Sequence, residues 1–305
     1  MHQIVCFCYS RIVRSVYIEQ NSGGSRFDSG DSWTILSPLE QSIKKKIETF
    51  GVPLKDKSWG ININYGVKTG LNEAFIIDGA KRAELIAADP KSAEIIRPIL
   101  RGKDIKRYSY DFADQWLIAA HNGNKDKDIF RIDVKKYPAV KKHLDNFFQK
   151  IEKRQDKGDT PYNLRSCAYW EDFSKQKIVW GNLCLKAQYS FVKEEFYINA
   201  PSPMIVPGSL YLLAVMNSKI ADFYIRSLGV TRNGGYFEYK PMFVEKLPIP
   251  LLSNDNQKNI INIVKKIISA KENGMDTFEL ETLIESILYS IFNFTKNEIQ
   301  LLNQY

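Results

Sequence analysis

Two glycine-containing turns in the first half of the chain constrain its fold and its partner. The first turn, at Lys68, Thr69, Gly70 and Asn72, leads into the apolar run 74–77. The second lies in residues 97–107, where five basic residues accompany one acid. Glycine lets a turn approach a ligand closely, and cations with small polar side chains suit a polyanion. The two turns therefore predict a polyanion-binding surface.

The charge distribution favours the same interpretation. The chain has 305 residues, a net charge of +8 and a pI near 9.1. Residues 255–305 carry five Lys against seven Asp and Glu, so the remaining residues carry about +10. This basic excess coincides with the two turns and favours a nucleic acid as partner.

The cysteine pattern and the start of the chain bear on metal binding and on compartment. Cys6 and Cys8 have no second pair at zinc-site spacing, and the chain has only three histidines. The apolar start ends near Tyr9, too short for a secretory signal or a membrane span. We therefore expect free cysteines, no metal site, no membrane partner and a cytoplasmic location.

The hydrophobic periodicity predicts an α+β fold. A mixed, β-rich domain with peripheral helices precedes a C-terminal antiparallel helical hairpin, whose second helix has capping-box spacing at Asp276 and Glu279. The predicted division is a poorly patterned segment 1–30, a domain 31–252 and the hairpin 253–305. Within it we predict helices at 39–47, 80–88, 92–100, 133–157, 210–228 and 257–271, and strands at 61–67, 74–78, 115–119, 178–183, 188–192, 195–198 and 204–206.

Two motifs carry a family resemblance. Gly66-Val-Lys-Thr-Gly-Leu-Asn-Glu-Ala-Phe75 is followed by Pro98-Ile-Leu-Arg-Gly-Lys-Asp-Ile-Lys-Arg-Tyr108. Together they resemble the TaqI-like C-terminal specificity, or target-recognition, domain of adenine-N6 DNA methyltransferases and of type IIG restriction-modification enzymes. The resemblance extends over residues 31–252. The Asn217-Ser218 pair and Leu247-Pro-Ile-Pro250 are also similar to specificity subunits of type I systems.

The resemblance implies double-stranded DNA as the ligand and three groups of candidate DNA-binding residues. They are Lys68, Thr69 and Asn72; Arg101, Lys103 and Arg107; and Arg232, Asn233 and Tyr236. Arg can read guanine and Asn can read adenine in the major groove. Each group also has an alternative explanation, because Thr and Asn favour turns, Asp104 could orient Arg101, and Asn-Gly-Gly suits a hairpin turn.

The family's catalytic motifs are absent from this sequence. Neither an S-adenosylmethionine loop nor an Asn-Pro-Pro-Tyr tetrapeptide occurs, so we predict no catalytic residue and no cofactor in this chain. The resemblance places S-adenosylmethionine in a catalytic partner or a missing domain. The predicted function is therefore sequence-specific DNA recognition on behalf of a methyltransferase or endonuclease, in a fragment or a separate specificity subunit.

An enzymatic alternative stays open at this stage. Asp222 with Glu238-x-Lys240 has the spacing of a Mg²⁺-dependent nuclease, although similar matches are frequent in a lysine-rich chain. A methyltransferase completed by a second chain is the other form of this alternative.

Overall fold

The computed structural model describes residues 36–228 and 231–305, with the backbone alone for residues 231–233. The segment predicted for residues 1–30 lies outside the described residues. The helices are α1 (Pro38–Phe50), α2 (Asn72–Phe75), α3 (Gly79–Ala88), α4 (Pro138–Asp145), α5 (Phe148–Lys153), α6 (Leu210–Met216), α7 (Lys219–Leu228), α8 (Pro241–Val244), α9 (Asn254–Glu272), α10 (Phe278–Ile291) and α11 (Lys296–Leu302).

The strands are short and dispersed between these helices. They are β1 (Gly51–Pro53), β2 (Asn62–Tyr65), β3 (Ile76–Asp78), β4 (Ile96–Leu100), β5 (Ile105–Lys106), β6 (Ser109–Tyr110), β7 (Gln115–Ile118), β8 (Lys177–Trp180), β9 (Leu183–Cys184), β10 (Tyr189–Val192), β11 (Tyr197–Ile198), β12 (Pro203–Val206), β13 (Thr231–Arg232), β14 (Tyr236–Glu238) and β15 (Pro248–Pro250). This confirms the predicted α+β class.

Two four-stranded sheets organise the described chain. The first has the order β10-β8-β12-β2 and is antiparallel throughout. The second has the order β11-β4-β7-β3, in which β11 runs parallel to β4 and the other pairs are antiparallel. A smaller sheet, β13-β14-β9, is antiparallel, and β1 pairs with β15 and β5 with β6.

The first sheet separates two hydrophobic cores. Successive strand residues point to opposite faces of a sheet. Ile178 and Ile205 accordingly join a core formed with α1, α6, α7, α9 and α10, whereas Val179 and Met204 join a core formed with the second sheet, α4 and α5. Because both faces are covered, every residue of β8 and β12 is buried, and the two strands are apolar without alternation except for Lys177, whose Nζ donates to Lys193 O and Phe196 O.

Two of the three terminal helices begin at side-chain caps, whereas α10 begins after Thr277 without one, so the capping box predicted at Asp276 and Glu279 is absent. Ser253 accepts a hydrogen bond from Asn256 N at the start of α9, and Thr295 and Glu298 form a capping box at α11. Helices α9 and α10 pack together through buried residues such as Val264 and Leu288. The two predicted terminal helices are therefore present, and α11 is an additional helix that the sequence pattern did not predict.

Two of the predicted helices do not form continuous α-helices. The predicted helix at residues 92–100 is a 3-10 helix, Pro90–Glu94, followed by strand β4. Pro98 disfavours a helix there, and pairing with β7 and β11 fixes the extended form. The predicted helix at residues 133–157 is broken into a 3-10 helix, α4 and α5, because Pro138 can only begin a helix at that point.

Two further boundaries are corrected. The predicted strand at residues 74–78 starts as the helical turn α2 and becomes extended at Ile76. The predicted helix at residues 210–228 divides at Asn217, whose side chain accepts from Tyr189 N at 3.0 Å and donates to Tyr189 O at 2.9 Å. This exchange ties the junction of α6 and α7 to strand β10.

Candidate nucleic-acid interface

A short segment, residues 199–202, connects the two glycine turns found in the sequence. On one side, Gly66 N donates to Ser202 O at 2.8 Å and Ala200 N donates to Val67 O at 3.0 Å. On the other side, Asn199 N donates to Leu100 O at 2.9 Å. The first turn therefore follows β2, the second follows β4, and both lie against the same segment.

Glycines allow the close approach of these backbones. A Cβ atom added at Gly66 would lie 2.5 Å from Ile198 O, and one added at Gly102 would lie 2.9 Å from Ser202 Oγ. Gly181 lies against Gly102 in turn, since a Cβ at Gly181 would be 3.7 Å from Gly102 O. The second turn thus contacts the segment that leads into β9.

Strand β9 extends these contacts to the glycine-rich hairpin. Cys184 pairs with Phe237 and Leu183 with Glu238 across β9 and β14. We call the assembly of residues 66–72, 101–104, 181–186 and 234–238 the turn cluster. It contains residues from all three groups that the sequence predicts to bind DNA.

In the first turn, Thr69 and Asn72 have different positions. Thr69 is buried, with 2% exposure, and its hydroxyl donates to Asn72 Oδ1 at 2.6 Å. Asn72 is exposed. The Thr69 side chain therefore stabilises the turn, and in this conformation Asn72 is the member of the pair that a ligand can reach.

Lys68 is exposed but carries an acidic partner. Its Nζ lies 2.9 Å from Asp156 Oδ2, and Arg165 Nη1 lies 3.2 Å from Asp156 Oδ1. The hydrogen bond from Lys68 lowers the pKa of the Asp156 carboxyl group. Two cations therefore share one carboxylate and leave a net positive charge beside the first turn.

Arg154 stabilises the first turn through hydrogen bonds to backbone carbonyls. Its guanidinium donates to Asp156 O and Pro161 O, both at 3.0 Å, and also to Thr69 O and Asn163 O. The side chain is 7% exposed and lies over the Phe75 ring, and burial lowers its pKa to about 10. The sequence reasoning missed this residue.

In the second turn, Asp104 orients Arg101. The guanidinium donates to both carboxylate oxygens, at 2.9 Å from Nε and 3.0 Å from Nη2, and Arg101 N donates to Asp104 Oδ2 at 2.9 Å. Asp104 is buried, whereas Lys103 is exposed and pairs with no described acidic side chain. Lys103 therefore presents a full positive charge.

Arg107 contacts the terminal helices and borders the turn cluster only at Lys186, with which it lines one cavity. Its Nε donates to Glu281 Oε2 of α10 at 2.5 Å, and its Nη1 donates to Asn217 O. It lines a cavity of about 1130 Å³ against the terminal helices. The structure thus does not bring Arg107 together with the other candidate residues, and its contact with DNA stays a prediction.

The hairpin of the third group is an antiparallel turn with an open tip. Thr231 pairs with Phe237 and Arg232 with Tyr236. Gly234 and Gly235 both have φ +77, and a Cβ at Gly235 would meet no atom within 4 Å. Tyr236 is 40% exposed, while the side chains of Arg232 and Asn233 lie outside the described residues.

A buried network that the sequence reasoning did not identify holds the hairpin in place. Arg226 Nη2 lies 2.9 Å from Asp222 Oδ2 and 2.6 Å from Leu185 O, and the guanidinium lies over the Phe237 ring. Tyr239 donates to Asp222, and burial, followed by the Asp222 charge, raises the pKa of Tyr239. The i, i+4 spacing of Asp222 and Arg226 on a helix was the available signal.

The acids proposed for a nuclease are engaged in these contacts. Asp222 binds Arg226 and Tyr239, and Glu238 Oε2 lies 2.7 Å from Lys240 Nζ. Within residues 36–228 and 231–305, no group of three or more His, Cys, Asp or Glu side chains could hold a metal ion. The geometry therefore gives the nuclease alternative no support.

Comparison with known proteins identifies the family. Residues 97–249 match the TaqI-like C-terminal specificity domain. The match covers 153 residues, just over half of the 305-residue chain. This protein belongs to the family of TaqI-like C-terminal specificity domains, which confirms the resemblance seen in the sequence.

Individual proteins are similar over larger parts of the chain. The type II methyltransferase M.MjaIV of Methanocaldococcus jannaschii is 26% identical over 280 residues, which are 86% of this chain and 90% of that protein. The type IIL restriction-modification enzyme MmeI, solved in complex with DNA, superposes with a TM-score of 0.58 at 13% identity, covering 80% of this chain. The type IIG restriction endonuclease BpuSI gives a TM-score of 0.49 at 13% identity over 83% of this chain.

The two solved structures are of much longer chains. This chain spans 35% of the MmeI chain and 33% of the BpuSI chain. The likeness to MmeI supports the fold described above. In the described part of the chain, no helix is both long and apolar enough to cross a membrane.

Proposed function

We propose that this chain is the DNA target-recognition module of a restriction-modification system. It directs an adenine-N6 DNA methyltransferase or endonuclease whose catalytic motifs the chain lacks. The observation that carries the proposal is the turn cluster, which joins three separate basic or glycine-rich turns in a member of a specificity-domain family.

The chemistry of the turn cluster suits two kinds of contact with double-stranded DNA. Lys68 and Lys103 are exposed cations that can bind phosphates and fix the register of the protein on the duplex. Asn72 and Tyr236 are exposed side chains with hydrogen-bonding groups that can reach base edges. The bare backbone at Gly234 and Gly235 permits close approach to a groove.

Catalysis belongs to a partner in this proposal. A methyltransferase or endonuclease, as a second subunit or a further domain, binds S-adenosylmethionine and the target adenine, while this module selects the site. In this proposal both act in the cytoplasm. We propose no catalytic role for any residue of this chain.

A methyltransferase completed in trans is the second candidate, because the relative M.MjaIV is named a type II methyltransferase and the chain covers 90% of it. The two candidates differ in where the cofactor contacts lie. Under our proposal, ultraviolet crosslinking of radiolabelled S-adenosylmethionine to the mixed proteins labels the catalytic partner alone. Label on this chain favours the second candidate.

Salt dependence of DNA binding tests the proposal. We expect the full chain to bind a fluorescent duplex at about 50 mM salt, with log K falling linearly against log salt by about 0.9 for each phosphate contact. Fluorescence anisotropy at increasing salt measures the slope. A failure to bind duplex DNA at that salt, both alone and with a cognate methyltransferase, would contradict the proposal.

A further inference from the structure

Three large apolar side chains are exposed within the turn cluster. Leu183 is 49% exposed, Leu185 is 53% exposed and Tyr236 is 40% exposed. Leu183 lies opposite Glu238 across β9 and β14, and Tyr236 lies two residues from Glu238 on the same strand. Glu238 is buried and forms an ion pair with Lys240. Neither leucine belongs to a group that the sequence analysis proposed for DNA binding.

The backbone around the two leucines is held by specific contacts. Cys184, between them, packs inward with its Sγ 3.4 Å from Gly181 O, and burial raises the pKa of its thiol to about 11. Arg226 Nη2 donates a hydrogen bond to Leu185 O at 2.6 Å. Within the two-residue strand β9, Leu183 and Cys184 point to opposite faces, and Leu185 follows in a bend. The leucines are therefore presented at fixed positions on the surface.

The charges around the leucines indicate what covers them. Lys103 and Lys186 are exposed, and neither forms an ion pair with a described acidic side chain, although Lys186 also borders the cavity that Glu281 and Glu285 line. Lys186 adjoins Leu185 in the chain, and the Lys103 turn contacts Gly181 through Gly102. A ligand that complements this surface has anionic groups along its edges and small apolar groups between them.

Duplex DNA has this combination in its major groove. Phosphates line both edges, and each thymine presents a 5-methyl group that apolar side chains contact. We propose that Leu183 and Leu185 contact thymine 5-methyl groups and thereby act as specificity-determining residues. This inference rests on the proposed DNA-recognition function and deepens it, because it assigns the chemical group that one part of the turn cluster reads.

Deoxyuridine substitution tests the inference directly, because deoxyuridine lacks only the methyl group. The target is first selected from random duplexes with the full chain, together with a cognate methyltransferase if required, and each thymidine is then replaced in turn. At one or two positions we expect the affinity to fall about fourfold per methyl, the value for burying one such group. In the Leu183→Ala/Leu185→Ala variant, the same replacement should change the affinity by less than about 1.5-fold.

Leu251→Ala is the matched control. Leu251 is 63% exposed just before α9, outside the turn cluster, so this variant should keep the full deoxyuridine effect. Thermal denaturation checks that all variants fold.

The outcomes separate the inference from the function on which it rests. Three results overturn the inference and leave the recognition function intact. They are selective binding with no deoxyuridine effect, a selected target without thymine, and an unchanged deoxyuridine effect in the double variant. Binding without any sequence preference overturns both.

Discussion

Replacing Arg154 with methionine is expected to lower the free energy of unfolding by about 3 kcal/mol or more, because its guanidinium anchors the first turn. The guanidinium donates to four backbone carbonyls, including Thr69 O of the first turn and Asn163 O. A hydrogen bond from a charged donor contributes about 1.5–3 kcal/mol, and a buried acceptor left without a partner costs about 1–3 kcal/mol. Urea denaturation monitored by tryptophan fluorescence measures the change.

Arg165→Met is the matched control for this prediction. Arg165 is also an arginine beside Asp156, but its side chain is 56% exposed and binds a carboxylate rather than backbone carbonyls. Exposed ion pairs contribute about 1 kcal/mol or less. Equal destabilisation by the two substitutions would contradict the role assigned to Arg154, since charge alone would then account for the effect.

The Lys103→Gln/Lys186→Gln variant should produce the largest loss of DNA binding. Both lysines are exposed in the turn cluster and have no described acidic partner, so phosphate contacts would use their charge in full. We expect the salt slope to become shallower by about 1.8 and the affinity at low salt to fall on the order of 10- to 100-fold. The loss should be similar for all sequences, because phosphate contacts carry no sequence information.

Lys265→Gln/Lys266→Gln provides the same change in charge away from the turn cluster. Both residues are exposed on α9. In anisotropy titrations at low salt, the Lys103→Gln/Lys186→Gln variant should therefore bind DNA at least about tenfold more weakly than the Lys265→Gln/Lys266→Gln variant. If the two variants lose affinity equally, the DNA contacts depend on net charge and the turn cluster is not the interface.

Local sequence signals were sufficient for much of the fold but failed where distant pairing decides the conformation. Apolar spacing predicts a helix at residues 39–47, and the structure has it at Pro38–Phe50, where a Ser37–Glu40 capping box extends its start. Residues 96–100 have helical apolar spacing too, yet they form a strand because β7 and β11 lie on either side of them. Such partners come from sequence positions up to about a hundred residues away, which no local pattern reveals.

At the candidate site, too, local sequence signals identified the segments but not the contacts between them. The motifs identified the two glycine turns and the hairpin, but their spacing gave no indication that residues 199–202 connect the turns. Nor did it distinguish Lys103, which pairs with no acidic side chain among the described residues, from Arg107, which pairs with Glu281. Ion pairing and burial depend on which elements pack together, so these properties required the structure.

Recognition of a particular DNA sequence by this chain can be measured as the ratio of two dissociation constants. A duplex selected from a random library is compared with a scrambled duplex of equal length at physiological salt, with a cognate methyltransferase present in both titrations and in its absence. We expect the selected duplex to bind at least about 1,000-fold more tightly than the scrambled duplex, which is the lower end of the range for specific DNA-binding proteins. Equal dissociation constants for the two duplexes under both conditions would contradict this expectation.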